Sequence, residues 1–335
     1  MSERAGQNPG HADEAPPAGY TWADLVEAVV VAHGTLTQVA WKLCERSDVT
    51  EDVASVERAL RRLRTRGQKD GGSWGVRLLR VFGVPRAAAA RLRWMGVYHS
   101  PFSDLPRSMC LDQLRVWDRP PLSTSRARLW LELGFAHVAL RGRDLEGARA
   151  RLAGARTALS NATIDDGADA ARVELALAAA YAAEDSAPEL AVATQALREA
   201  TATLGEDDLA CFRARLVDQQ AYQLNRQAAH AAALALYEGL AREDVHPFAS
   251  YRRDAGLAYG YHRTGRAEEA LACARRACEH AGDGGYTRLR VMGLLLQARV
   301  DHAARGALLG RARAIATRLE DDELLGRVAR AEGAP

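Results

Sequence analysis

Apolar residues recur along this chain at intervals of three and four residues, which is the spacing of one face of an α-helix. In the segment 56–66, Val56, Leu60 and Leu63 share one side and leave arginines on the others. Similar runs predict helices over about 73–82, 86–97 and 108–117. No alternating strand pattern extends beyond a few residues. The pattern therefore predicts an all-α protein.

Capping residues indicate where the first helices begin and end. Thr21 is placed to cap a helix that ends at Gly34, and Thr35 or Thr37 can cap the next one. After a polar gap, Ser55 can cap the helix 56–66. Three helices are therefore predicted between residues 21 and 66.

The chain beyond about residue 123 is rich in alanine and repeats a pattern of small, aromatic and turn residues. One copy, DAGLAYGYHRTGRAEEALACARRA, carries the pattern at Leu257, Ala258, Tyr261, Gly265, Ala270 and Ala277. Two further copies carry it at Trp130, Leu133, Gly134, Ala148 and Ala155, and at Leu177, Ala178, Tyr181 and Ala191. Small residues at these positions let two helices cross closely. The spacing resembles that of tetratricopeptide repeats, with units about 38–42 residues apart.

The tetratricopeptide resemblance implies a right-handed α-solenoid of about five hairpins plus a closing helix, with a groove for a peptide or protein. Composition divides the chain into three regions. Residues 1–20 are predicted to be a disordered tail, 21–121 a basic, aromatic-rich helical domain, and 122–335 the repeats.

Charge is distributed unevenly along the chain. The whole chain has a net charge of only +2. Residues 41–95 alone contain 13 lysines and arginines but only 6 aspartates and glutamates. A basic segment on a nearly neutral chain is typical of a domain that binds an anion.

Other sequence signals narrow the class of protein. The 5 cysteines form no CxxC pair, so we expect reduced, buried thiols and neither a metal site nor a cofactor. The N-terminus lacks the apolar core of a signal peptide, and no run approaches the ~18 apolar residues of a membrane span. These features predict a soluble, cytoplasmic protein that does not bind a membrane.

Residues 24–67 resemble the helix-turn-helix of the factor-for-inversion family. AHGTLTQVAWKL matches the first part of the family's pattern, and RALRRLRTRG matches its end. The matching residues are Gly34, Ala40, Leu43, Leu60, Leu63 and Gly67. The resemblance implies that the helix 56–66 is a recognition helix that enters the major groove of DNA.

The position of each side chain along this helix predicts which part of the DNA it would contact. Ser55, Glu57, Arg58 and Arg61 would face base edges, and arginine can pair bidentately with guanine. The residues expected at phosphates are Arg62, Arg64, Arg66 and Lys69.

The alternative is that these arginines form a solvated or protein-contacting face. The segment CERSDVTEDVA, residues 44–54, separates the two helices, whereas the family uses a turn of ~3–4 residues. Its acidic residues would repel phosphate if they lay beside the DNA groove.

Aromatic residues concentrate in a segment that joins the two regions. Trp94, Tyr98, Phe102 and Trp117 are candidates for a partner-binding site, because tryptophan and tyrosine are frequent interface hot spots. The alternative interpretation is that these side chains pack at a domain interface.

The same segment contains His99, Ser100, Ser103 and Asp104, which are residue types of hydrolase triads. Adjacency in a loop provides neither a Ser–His hydrogen bond nor an oxyanion hole, so no enzyme is predicted. The sequence favours a DNA-binding regulator with a peptide- or protein-binding repeat groove, and by analogy a homodimer. The alternative is a non-catalytic adaptor that assembles proteins without binding DNA.

Overall fold

The computed structural model describes residues 19–46, 50–66, 71–160, 167–240 and 246–333. Within these ranges the chain forms α-helices, two short 3₁₀ helices and no strand, which confirms the predicted all-α class. The α-helices are α1 (Trp22–His33), α2 (Leu36–Arg46), α3 (Val53–Arg66), α4 (Gly72–Phe82), α5 (Arg86–Gly96), α6 (Arg107–Trp117), α7 (Arg128–Arg141), α8 (Leu145–Ser160), α9 (Ala168–Ala182), α10 (Ala187–Ala200), α11 (Glu206–Arg226), α12 (His230–Glu238), α13 (Pro247–Arg263), α14 (Ala267–Asp283), α15 (Thr287–Val300), α16 (Arg305–Arg318) and α17 (Asp322–Glu332). Of the predicted tail, 1–18 lie outside the described residues.

The chain divides into two compact units. One contains residues 1–83 and 115–122, and the other contains 84–114 and 123–335. The sequence assigned 84–114 to the N-terminal domain, but α5 packs against α7 of the second unit. At Gly134 on α7, an added Cβ would lie 2.9 Å from the Met95 carbonyl oxygen and 2.8 Å from Leu114. This close approach explains why residues 84–114 belong to the second unit.

In the first unit, the predicted caps begin α1 and α2. The Thr21 hydroxyl accepts the Asp24 N–H at 3.2 Å, and the Asp24 carboxylate accepts the Thr21 N–H at 2.7 Å. α1 ends at Gly34, whose φ of +103° favours glycine. Thr35 and Gln38 exchange a similar pair of hydrogen bonds at the start of α2. Both helix starts agree with the sequence analysis.

The third cap differs from the prediction. α3 begins at Val53, earlier than the predicted residue 56. Asp52 caps it, because the Asp52 carboxylate accepts the Ser55 N–H at 2.6 Å. Ser55 therefore lies inside the first turn of α3. The earlier start, and the end of α2 at Arg46, leave a connection of only residues 47–52 between the two helices.

A single apolar cluster forms the core of the first unit. α3 contributes Val56, Leu60 and Leu63, which are the residues that the periodicity placed on its apolar face. The other fully enclosed members are Trp22, Leu25, Val26, Val29, Val39, Ala40, Leu43 and Leu78. Burial of these side chains fixes which side of α3 faces outward.

In the second unit, α7 to α16 form five consecutive helical pairs, and α17 follows them. Each first helix (α7, α9, α11, α13 and α15) contacts the first helix of the next pair, and α15 contacts α17. Each second helix packs against its partner and against the first helix that follows. The first helices therefore form one continuous row.

Small residues allow the pairs to pack closely, as the repeat pattern predicted. The side chains of Ala148, Ala155, Ala258, Ala270 and Ala277 are fully buried. Between α13 and α14, Gly265 makes the turn with a φ of +80°.

Candidate functional site

The exposed side of α3 carries four described arginine side chains, Arg58, Arg61, Arg62 and Arg64, which we call the arginine face. They are exposed because Val56, Leu60 and Leu63 occupy the core side of the helix. The Arg66 side chain and all of Lys69, also predicted to bind DNA, lie outside the described part of the chain.

Acidic residues of the first unit pair with half of the arginine face. Arg61 forms an ion pair of 2.6 Å with Glu57 on α3, and Arg64 Nε donates to Glu27 of α1 at 2.5 Å. Arg58 donates to the Ser55 hydroxyl at 2.9 Å. Among the residues the structure describes, Arg62 makes no ion pair. Arg62 therefore retains the least compensated positive charge, and Arg58, which forms no ion pair, lies close enough to Asp52 to help lower the pKa of its carboxyl.

The acidic segment between α2 and α3 is partly engaged in local contacts. Asp52 caps α3, and the Ser55 N–H and hydroxyl lower the pKa of its carboxyl. Glu51 pairs with Arg77 of α4 at 3.6 Å. Asp48 lies outside the described residues. Glu57, which the sequence placed at base edges, also accepts a hydrogen bond from Thr37 of α2 at 2.9 Å.

In the second unit, residues 97–106, which we call the internal segment, lie along the row of first helices. The Tyr98 N–H donates to Glu174 of α9 at 3.2 Å, and His99 Nε2 lies 2.9 Å from Asp208 of α11. Arg252 of α13 donates to the Tyr98 hydroxyl at 3.3 Å. We call the surface of α7, α9, α11, α13 and α15 that holds this segment the groove.

The first and last helices of the row, α7 and α15, bind residues 103–105 of the internal segment. Arg141 of α7 donates to the carbonyl oxygens of Ser103 and Leu105, each at 2.8 Å. The Asp104 carboxylate accepts the backbone N–H groups of Arg288 and Leu289, in the first turn of α15, at 2.8 and 3.1 Å. All five first helices thus bind the internal segment, through both its backbone and its side chains.

A buried ionic cluster lies under Tyr98. Arg215 donates two hydrogen bonds of 2.7 Å to Glu174, and His137 Nε2 lies 2.8 Å from the same carboxylate. Burial alone raises the pKa of Glu174, but Arg215 and His137 outweigh it and hold that pKa far below its usual value. The Arg215 guanidinium lies 4.9 Å from the centre of the Tyr98 ring.

The triad-like residues of the internal segment have separate partners. The Ser100 hydroxyl donates to the Trp94 carbonyl at 2.5 Å, and Ser103 Oγ donates to the Ser100 carbonyl at 3.0 Å. Burial lowers the pKa of His99. The hydrogen bond to Asp208 acts in the opposite direction but only partly offsets this lowering. Burial raises the pKa of Asp104 to about 6, although the two N–H donors oppose the rise. These groups hold the segment in place: both serine hydroxyls donate to backbone carbonyl oxygens, and His99 Nε2 pairs with Asp208.

Three of the four predicted partner-binding aromatics, Trp94, Tyr98 and Phe102, lie in the second unit, and Trp117 lies in the first. Tyr98 lies in the groove, whereas Phe102 is buried, with its ring centre 5.1 Å from that of Trp94. Arg91 lies 4.1 Å from the Trp94 ring centre. Trp117 belongs to the other compact unit, where it stacks on Tyr20 at 6.0 Å. Of the four, Tyr98 lines an open cavity.

Three cavities of about 340, 460 and 440 Å³ lie on the groove and share Arg252 in their lining. Seven of the 9 tyrosines in the chain line these cavities: Tyr98, Tyr181, Tyr222, Tyr237, Tyr251, Tyr259 and Tyr286. Arginines accompany them, notably Arg141, Arg143, Arg226, Arg288 and Arg327. Tyrosine and arginine are the residue types most often found at interaction hot spots.

Apart from Tyr98, these tyrosines are not among the binding residues predicted from the sequence, where Tyr181 is only a packing position of the repeat pattern. A signal was present, since Tyr181, Tyr222 and Tyr259 lie near the ends of three successive first helices. Aromatic residues at equivalent positions of neighbouring repeats line one face, and this spacing could have identified them.

Metal-binding clusters and membrane-spanning helices are absent from the part of the chain that the structure describes. There, no group of three or more histidine, cysteine, aspartate or glutamate residues is arranged to hold a metal ion. Across the same residues, no helix has the length and apolar character needed to cross a bilayer. Comparisons of the chain with protein-family models, with curated proteins and with solved structures return no match.

Proposed function

We propose that this chain is a DNA-binding regulator whose repeat unit is a tetratricopeptide-like α-solenoid with a groove for a peptide or protein. The observation that carries the DNA part is the arginine face of α3. Its apolar side is buried against α1 and α2, so the arginines are presented outward by a fixed three-helix core. A helix held in this way is suited to the major groove.

The connection between α2 and α3 is closer to the family's turn of ~3–4 residues than the sequence suggested, which favours this proposal. The sequence alone suggested an insert over 44–54, whereas only residues 47–52 connect the helices. Glu51 pairs with Arg77, which reduces its repulsion toward a phosphate backbone, and Asp52 is held at the start of α3 by the Ser55 N–H. Arg58 and Arg62 are the strongest candidates for DNA contact.

The proposed peptide-binding role of the groove has separate support. The internal segment lies on the first helices as a bound peptide would, with its carbonyl oxygens held by Arg141 and its Asp104 carboxylate held by backbone N–H groups. Open cavities lined by tyrosine and arginine continue beside it. A peptide is therefore the kind of ligand that suits this surface.

A salt titration of full-length protein against labelled mixed-sequence duplex DNA tests the DNA part. We expect log affinity to fall linearly with log salt, by about 0.9 per phosphate contact. Arg58→Ala and Arg62→Ala should each weaken binding several-fold, and loss of a phosphate contact should reduce the slope by about one. Arg156→Ala, on an exposed position of α8, is the matched control and should change neither quantity.

The adaptor remains the second candidate, and one observation favours it. Glu57 and Glu27 already pair with Arg61 and Arg64, as they would on a solvated face. Absence of DNA binding at low salt, or equal effects of the α3 variants and Arg156→Ala, would reject the regulator and leave the adaptor.

A further inference from the structure

The internal segment shows which chemical groups the groove already accommodates. Tyr98 places its ring 4.9 Å from the Arg215 guanidinium and 5.8 Å from that of Arg252. Asp104 places a carboxylate on the first turn of α15, where backbone N–H groups bind it. The groove thus holds a segment of turns and one short 3₁₀ helix, Pro101–Asp104, that carries an aromatic and an acidic side chain.

Every acidic residue that lines the three cavities is already engaged. Asp218 pairs with Arg252 at 3.0 Å and accepts from Tyr237, and Glu323 pairs with Arg288 and Arg327. Glu184, at the rim, lies 3.6 Å from Arg149. With Asp104 bound to backbone N–H groups, the negative charge of the lining is compensated locally.

Two arginines of the lining differ from the others. Arg143 and Arg226 are exposed, and within the described ranges neither forms an ion pair with an acidic side chain. The Arg226 guanidinium lies 6.0 Å from the ring centre of Tyr222, which is 61% exposed. An exposed tyrosine beside an uncompensated arginine can bind a carboxylate and the chain that carries it.

We infer that the open part of the groove binds an extended peptide rich in acidic residues, laid beside the internal segment. This inference rests on the proposed peptide-binding role of the groove and specifies the chemical class of its ligand. Arg226 and Arg143 bind the acidic side chains, and the exposed tyrosines contact the backbone and apolar parts. At the usual helix spacing of ~10 Å, the row from α7, which ends just before Arg143, to α13 spans up to about 30 Å, which an extended peptide of about nine residues covers.

The test uses the full-length protein and two fluorescein-labelled pools of peptides of about ten residues, a length that covers the row. The pools share random glycine, serine, leucine and tyrosine positions and differ only in having glutamate or lysine at fixed positions. Fluorescence anisotropy measures binding of each pool. We expect the glutamate pool to bind at least about tenfold more tightly, with an affinity that falls as salt is raised.

Variants locate the binding. Arg226→Gln, Arg143→Gln and Tyr222→Ala should each weaken binding of the glutamate pool several-fold. Arg156→Gln and Tyr261→Ala are matched controls, because neither residue lines the three cavities, and both should bind as the wild type does. Circular dichroism of every variant shows whether its fold is kept.

Three outcomes would overturn the inference: equal or tighter binding of the lysine pool, no binding of either pool, or binding that none of the three groove substitutions weakens. The DNA titration of the same preparation separates the two proposals. Failure of peptide binding with DNA binding intact rejects this inference alone. Conversely, peptide binding without DNA binding rejects the regulator and leaves the inference in place.

Discussion

Glu174 and Arg215 face each other across α9 and α11 through two hydrogen bonds of 2.7 Å, and both residues are fully buried. The same carboxylate accepts the Tyr98 N–H of the internal segment at 3.2 Å. One buried ion pair therefore joins two neighbouring first helices to the peptide-like segment that lies on them. The fold of the repeat unit and the occupation of its groove depend on the same residues.

We predict that breaking this pair on one side strongly destabilises the protein. Glu174→Gln and Arg215→Met should each lower the free energy of unfolding by about 3–5 kcal/mol, because each leaves an uncompensated buried partner. The double variant should lose less than the sum of the two. Urea unfolding followed by circular dichroism measures these differences.

An exposed pair on the same helix is the control for that prediction. Asp169 and Arg172 pair on α9 with side chains 33% and 47% exposed. Arg172→Gln should change the free energy of unfolding by less than about 1 kcal/mol, since exposed ion pairs contribute little. Similar losses for Arg172→Gln and Arg215→Met would contradict the role assigned to burial.

The second prediction concerns the pH dependence that Asp104 confers. Burial raises the pKa of its carboxyl to about 6 in the folded protein, against an ordinary value of 3.8. The folded state therefore binds this proton more tightly than the unfolded state, and stability falls as pH rises through that window. Compared with Asp104→Asn, the free energy of unfolding of the wild type should fall by up to about 1.4 kcal/mol per pH unit between pH 3.8 and about 6.

Unfolding curves of both proteins at several pH values between about 4 and 7 measure this difference. Comparison with the variant cancels the contributions of groups common to both proteins, Glu174 included. Parallel stability profiles for wild type and Asp104→Asn would show that the carboxyl titrates in the folded state as it does in the unfolded chain.

Much of the helical architecture followed from local sequence patterns. The predicted helices over about 73–82, 86–97 and 108–117 end within a residue or two of α4, α5 and α6. Thr21 and Gly34 bound α1 as predicted, because a cap depends only on residues within one turn. The start of α3 was placed late because Asp52 and Ser55 both have capping side chains.

The occupied groove could not be predicted in this way. Tyr98 contacts Arg252, which is 154 positions away, and His99 contacts Asp208, which is 109 positions away. No periodicity or spacing encodes such pairs, which form only when the helical pairs stack. The sequence drew attention to Tyr98, His99 and Asp104, but their partners on five helices emerged only from the structure.

The third prediction concerns Glu57 on the arginine face. Removing its charge by Glu57→Gln leaves Arg61 without an acidic partner on α3 and removes a repulsion toward phosphate. We expect DNA affinity at low salt to rise several-fold and the salt dependence to become steeper by about 0.9. Glu146→Gln, an exposed change on α8, is the matched control for net charge. If both variants raise affinity equally, the effect comes from overall charge and not from α3.

The last prediction tests how closely α12 and α13 pack. A Cβ added at Gly256 would lie 2.1 Å from the Tyr237 ring, so Gly256→Ala should lower the free energy of unfolding by about 1–3 kcal/mol. Gly310 on α16 has no atom within 4 Å of such a Cβ, so Gly310→Ala should instead add about 0.5–1 kcal/mol through helix propensity. Urea unfolding of both variants measures the contrast. Equal stabilisation by the two alanines would mean that α13 does not approach Tyr237 this closely, and that glycine at 256 serves no purpose in the packing of the repeat.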